Sequence, residues 1–102
     1  MTVPRRGELW TAGTDNPVTV LVISSTVYNE IPDEPTVIAV PVMHGSTDTG
    51  FCVDLDGGLF AVTGLVTHLL KTDLTERLRT VDVQTLTDVN TMLFKILATP
   101  ER

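Results

Sequence analysis

A small, mainly β domain, rolled into a partly closed barrel with a C-terminal helix at one end, is the fold class this sequence predicts. Three observations predict it. Two apolar, β-branched runs, Val18–Ser24 (Val-Thr-Val-Leu-Val-Ile-Ser) and Thr36–Met43 (Thr-Val-Ile-Ala-Val-Pro-Val-Met), have the length and composition of strands buried on both faces. Turn signals recur at short intervals, at 13–17 and 56–58. In the tail, Val83, Leu86, Val89 or Asn90, Leu93, Ile96 and Leu97 fall at helical spacing.

Each element follows from its own residues. Arg6–Ala12 mixes polar and apolar positions, the pattern of a first strand with one wet face. Gly13-Thr14-Asp15-Asn16-Pro17 is a turn by composition, and the two buried strands come next. Between them, Tyr28–Pro35 is a polar link whose prolines, Pro32 and Pro35, keep it out of a central strand. His44–Gly50 reads as a loop of small polar residues. Phe51–Leu55 and Leu59–Thr63 form a hairpin about Asp56-Gly57-Gly58. Gly64 breaks the run, and Leu65–Leu70 continues as another strand. Thr72–Leu78 suggests a single helical turn capped by Thr72 or Asp73, followed by a short strand at Leu78–Val81. Asp82 is placed to cap the final helix, with Val81 and Leu86 at the positions of a hydrophobic staple. Gln84, Thr87, Asp88, Thr91 and Lys95 fall on its wet face, and Pro100 stops it.

Bulk properties narrow the function classes. A chain of 102 residues, 42% of them hydrophobic, is expected to form one domain, 1–102, with a single core. No apolar run is long enough for a membrane span, and no apolar stretch follows Arg5 and Arg6 as in a secretory signal. A cytoplasmic protein is expected. Cys52 is the one cysteine, without a disulfide partner or enough histidines for a metal cluster. It reads as a small buried hydrophobe; no metal and no cofactor are expected. The net charge of −6 is unlike that of proteins that grip many phosphates through a basic face. Convergence of Arg5, Arg6, Lys71, Arg77 and Arg79 in space is left for the fold to decide.

Several stretches carry a resemblance. Arg-Arg-Gly-Glu-Leu-Trp at 5–10, Val-Leu-Val-Ile-Ser-Ser-Thr-Val-Tyr-Asn at 20–29 and Val-Ile-Ala-Val-Pro-Val at 37–42 resemble the MazF/PemK toxins. Thr-Val-Asp at 80–82, before a helix containing Val89-Asn90, resembles the family's closing pattern. The likeness spans nearly the whole chain. It implies a small SH3-like barrel of the MazF/CcdB type, a homodimer, a cognate antitoxin as partner, and metal-independent cleavage of single-stranded RNA. That chemistry must activate a ribose 2′-hydroxyl, neutralise charge on the phosphate and protonate the leaving oxygen.

The residues the family places there are missing. Where the resemblance puts an arginine, before the second strand, the chain has Val18, flanked by Pro17 and Thr19. Where it puts a threonine, after the proline-ended strand, the chain has Met43, with His44 beside it. The family's Asp-Gln with a following base corresponds to Thr63–Thr67, which has neither acid nor base. Loss of the cation should cost roughly 3 kcal/mol of transition-state stabilisation.

His44 is the candidate replacement, since an imidazole moves protons near neutral pH. Thr19, Ser46, Thr47 and Thr49 are candidate ligands for RNA, and Arg5 and Arg6 candidate sources of positive charge. The bland reading of His44 is a solvated loop residue. His68 reads as structural, and Asp54, Asp56, Asp33 and Glu34 as solvated. Three classes of function follow. One is an endoribonuclease rebuilt around His44. Another is a catalytically lapsed homodimer that binds an antitoxin, a sibling toxin or a gyrase-like target. The last is a regulatory or structural homodimer unrelated to toxicity.

Overall fold

The computed structural model describes residues 3–45 and 51–98. Within them the chain forms strands β1 (Glu8–Ala12) and β2 (Val18–Val22), a one-turn helix α1 (Thr26–Asn29), and strand β3 (Thr36–His44). Strands β4 (Cys52–Asp54), β5 (Leu59–Val62), β6 (Thr67–Leu70) and β7 (Leu74–Thr80) follow, and helix α2 (Val83–Ala98) ends the described chain. All seven strands belong to one antiparallel sheet ordered β4-β5-β3-β2-β1-β7, with β6 also paired to β3.

The long strand β3 shapes the molecule. Its first half, Thr36–Ala39, pairs with β6, and its last residues, Val42–His44, pair with β5. Val40 and Pro41 lie in the gap between those pairings, where a proline with no N–H leaves no ladder bond unmade. The sheet therefore folds over and both faces of its centre are covered. Leu9, Leu21, Val40 and Val42 pack on one face beneath Val89 of α2. Trp10, Val20, Val22, Val37 and Ala39 pack on the other, beneath Leu69 and Leu74. Burying a side chain such as Leu9 or Leu21 contributes about 2 kcal/mol.

The fold class agrees with the expectation, and the sheet is open rather than closed. Its two edge strands are nonetheless tied together. The guanidinium of Arg79, on β7, donates to the carbonyl of Leu55, just past β4 (2.7 Å). The β4–β5 hairpin turns through Asp56, Gly57 and Gly58, all with positive φ, which is why two glycines are needed there. Gly7 also has positive φ, which favours glycine there, and it lies beside Leu86 of α2.

Four local expectations are corrected. β1 has no continuous wet face: Glu8, Leu9, Trp10 and Ala12 are all buried, because α2 and the β6–β7 region cover opposite sides. The buried carboxylate of Glu8 is satisfied by the Arg5 amide (2.7 Å), the Trp10 indole (3.1 Å) and Arg77 (3.3 Å). The 28–35 link is not all irregular, since Ser25 caps α1 by accepting from the Tyr28 amide. No helical turn spans 72–78. A 3-10 turn occupies Lys71–Asp73 and β7 begins at once, because the free edge of β1 takes Leu74–Thr80 as a pairing partner. Finally, Leu65–Leu70 becomes strand only at Thr67, and His68 is exposed rather than packed among apolar neighbours.

Helix α2 begins as expected. Asp82 accepts from the Thr85 amide (2.8 Å), and the hydrogen bonds from Thr85 hold its carboxyl below the usual range. Leu86, Met92 and Leu93 pack on the core beside buried Val89, while Val83, Phe94 and Leu97 are exposed. No helix of the described residues is long and apolar enough to cross a membrane.

Candidate functional site

The start of β2 and the end of β3 lie side by side, with Thr19 opposite Val42. They form the walls of a cleft of about 550 Å³: Pro17, Val18 and Thr19 on one side, Pro41 to His44 on the other, and Leu65 from the β5–β6 connection. The local sequence explains the position. Pro17 ends the 13–17 turn and delivers Val18 to the first pairing position of β2, where it lies beside Ala12 at the end of β1. Beyond Val42, β3 has only β5 beside it, so Met43 and His44 project at an end where no β2 strand covers them. Val18 is 53% exposed and Met43 48% exposed, unlike the fully buried Leu21 and Val40 a few residues along the same strands. The expectation that Val18–Ser24 is buried throughout is corrected at this end.

Of the residues singled out from the sequence, the fold brings His44 and Thr19 to this cleft, together with Val18 and Met43. Arg5 and Arg6 are not there. They precede β1, whose first residues lie near Val22, at the far end of β2, as the bond from the Gly7 amide to the Val22 carbonyl shows (2.8 Å). The Arg6 guanidinium is held by Asn90 of α2. Ser46, Thr47 and Thr49 lie outside the described residues. The other cations do not converge either: Arg77 pairs with Glu8, Arg79 binds the Leu55 carbonyl, and Lys71 donates to the Ile31 carbonyl (3.2 Å). Among the described residues no arginine or lysine lines the cleft.

A second depression of about 410 Å³ adjoins the first, and Val18 belongs to both. Its lining adds Ala12 to Asn16, Leu69 and Asp73. Sequence reasoning missed this half. The 13–17 turn was readable, but nothing local shows that it lines one depression with Leu69 and Asp73, which arrive from more than fifty residues away. Among the described residues no group of three His, Cys, Asp or Glu is placed to hold a metal ion. Among the described residues the cleft offers one imidazole, one hydroxyl and apolar side chains, without a cation to balance a phosphate.

No family model matches the chain, and no curated protein is similar to it in sequence. Solved structures are similar in shape. An endoribonuclease in complex with its cognate antitoxin, from a mycobacterial species, has a TM-score of 0.84 at 20% identity, covering 97% of this chain and 99% of that one. A MazE–MazF complex of Deinococcus radiodurans has a TM-score of 0.84 at 23% identity, covering 98% and 100%. The Mycobacterium tuberculosis toxin MazF-mt6 has a TM-score of 0.76 at 12% identity, covering 92% and 99%. The resemblance carried by the motifs at 5–10, 20–29, 37–42 and 80–82 thus holds over the whole domain: this chain has the fold of the MazF toxins.

Proposed function

We propose that this chain is the toxin component of a type II toxin–antitoxin pair, restrained by a cognate antitoxin, and that its cleft works by binding protein rather than by cutting RNA. The first half is supported by the fold, shared end to end with MazF proteins of which several are complexed with MazE or another antitoxin. The second is carried by one observation: Val18 and Met43 stand in the cleft where the resemblance puts an arginine and a threonine. Among the described residues no cation lines the cleft to meet a phosphate gathering charge there, and two exposed apolar side chains instead favour an apolar partner. We further propose a cytoplasmic homodimer, as in the resemblance.

A second reading is favoured by the exposure of His44 beside Thr19 in the same open cleft. In it His44 moves the protons of RNA cleavage, while Thr19, Ser46, Thr47, Thr49, Arg5 and Arg6 hold the RNA, the last two reaching a cleft of the homodimer. Induced expression separates the readings. Growth arrest with cellular RNA intact is the expected result. Discrete RNA fragments from the purified protein in chelator, abolished by His44→Ala, would establish the second reading instead. Absence of any growth effect would overturn the toxin assignment.

A further inference from the structure

We infer that a small pocket between the N-terminal segment and the end of α1 binds a free α-amino acid with an apolar side chain. The inference is independent of the toxin reading and concerns the end of the β2–β3 ladder away from the cleft. Val3, Pro4, Ile31 and Pro32 give a cavity of about 240 Å³ its apolar walls, and Glu30 and Lys71 line it with opposite charges. Segments distant in sequence are bonded together around it. The Asn29 side chain donates to the Pro4 carbonyl (2.9 Å), and the Lys71 ammonium to the Ile31 carbonyl (3.2 Å). The Lys71 amide donates to the Pro35 carbonyl (2.8 Å). With two prolines of fixed φ in its walls, the cavity is set before a ligand arrives.

The polar groups left over select the ligand. The amides of Asn29, Glu30, Ile31 and Lys71 all donate to backbone carbonyls, and the Asn29 side chain is spent on Pro4 and Ser24. Two charges remain. The Glu30 carboxylate has no hydrogen-bond or ion-pair partner among the described residues. The Lys71 ammonium has three N–H groups and gives one to Ile31. Glu34, the carboxylate that also feels Lys71, is already engaged by the Thr36 hydroxyl (2.6 Å) and amide (3.3 Å). Glu30 and Lys71 line one cavity without pairing with each other. A simple cation or anion would meet one matching and one like charge there, whereas a zwitterion meets both in kind. The apolar walls take its side chain. The volume lies below the roughly 300–1,000 Å³ of larger ligand sites, which suits a single amino acid rather than a peptide.

The test titrates the full chain, labelled with ¹⁵N, with L-leucine and three analogues that each lack one part. Isocaproate has no amine, isoamylamine no carboxylate, and glycine no apolar side chain. Leucine is expected to shift the amide signals of Val3, Glu30, Ile31 and Lys71, to leave those of Val18 and Met43 in place, and to bind with a dissociation constant on the order of 1 mM. Isocaproate and isoamylamine should each bind about fivefold more weakly, as for the loss of one solvent-facing ion pair, and glycine should shift none of these amides. Glu30→Gln, at an exposed residue without partners, should lower the affinity for leucine about fivefold and leave that for isocaproate unchanged. Lys71→Met should weaken leucine and spare isoamylamine. Either analogue binding as tightly as leucine, indifference of leucine to Glu30→Gln, or no shift with leucine at about 10 mM would overturn the inference.

Discussion

Around Val22 and Ile38, one end of the β2–β3 ladder, the polar groups are buried and engaged. Around Val18 and Met43, the other end, apolar groups are exposed and uncovered. At the first end Asn29, the last residue of α1, is buried and donates to the carbonyls of Pro4 (2.9 Å) and Ser24 (3.1 Å). It accepts from the Ser24 hydroxyl (2.5 Å), which in turn accepts from the Ile38 amide (3.1 Å). A small network thus ties the N-terminal segment, the end of β2 and the start of β3 together. At the second end no such network links the described residues, and Val18 and Met43 are half-exposed. The same two strands carry a hydrogen-bonded, buried end and an open, exposed end.

The largest effect is expected at the closed end. Asn29→Ala removes three side-chain hydrogen bonds and leaves the Pro4 carbonyl and the Ser24 hydroxyl buried without this partner, so it should cost about 3 kcal/mol in denaturant unfolding. A loss below about 1 kcal/mol would mean that the network positions α1 without stabilising the sheet. At the open end the contrast is direct. Met43→Thr exchanges a half-exposed side chain and should leave unfolding within about 0.5 kcal/mol of the parent. The same substitution should weaken capture by the antitoxin in a pull-down. A large stability loss for Met43→Thr would make that end part of the core and erase the comparison.

How much of this was legible beforehand depends on how local the cause was. The two central strands, the 56–58 turn and the Asp82-capped helix are written in runs of β-branched residues, consecutive glycines and a cap followed by helical spacing. Most of the corrections have distant causes. β1 looked half-wet because Glu8 is a charged residue, yet Arg77 and the Trp10 indole, from outside its own position, make its burial tolerable. Thr72–Leu78 carries helix-compatible residues, and only the vacant edge of β1 turns it into β7. The cleft was half-visible: His44 and Thr19 were found through the resemblance, whereas the adjoining depression is built by a backbone bond from Gly13 to Asp73 between two distant turns. The exposure of Val18 is invisible in a run that looks uniformly buried.

The smallest effect concerns how α2 is joined to the closed end. The Gly7 amide binds the Val22 carbonyl, and the Val81 amide binds the Gly7 carbonyl (2.9 Å), so the residue before the Asp82 cap is two bonds from the end of β2. Asp82 has its folded carboxyl held below its ordinary value of 3.8, first by the side-chain hydrogen bond from Thr85 and then by the backbone one. A carboxyl depressed on folding stabilises the native state above its unfolded value, and that contribution fades as pH falls through the lower folded value. Stability should therefore decline below about pH 4, with the carboxylate end of the cap lost first. Asp82→Asn keeps a capping oxygen but does not titrate, so its stability should fall less steeply over the same acid range. Hydrogen exchange at the Gly7, Val81 and Thr85 amides reads the effect locally. If acid speeds exchange there equally in parent and variant, the proton responsible binds elsewhere, and Glu34, similarly depressed by its hydrogen bond with Thr36, becomes the next group to substitute.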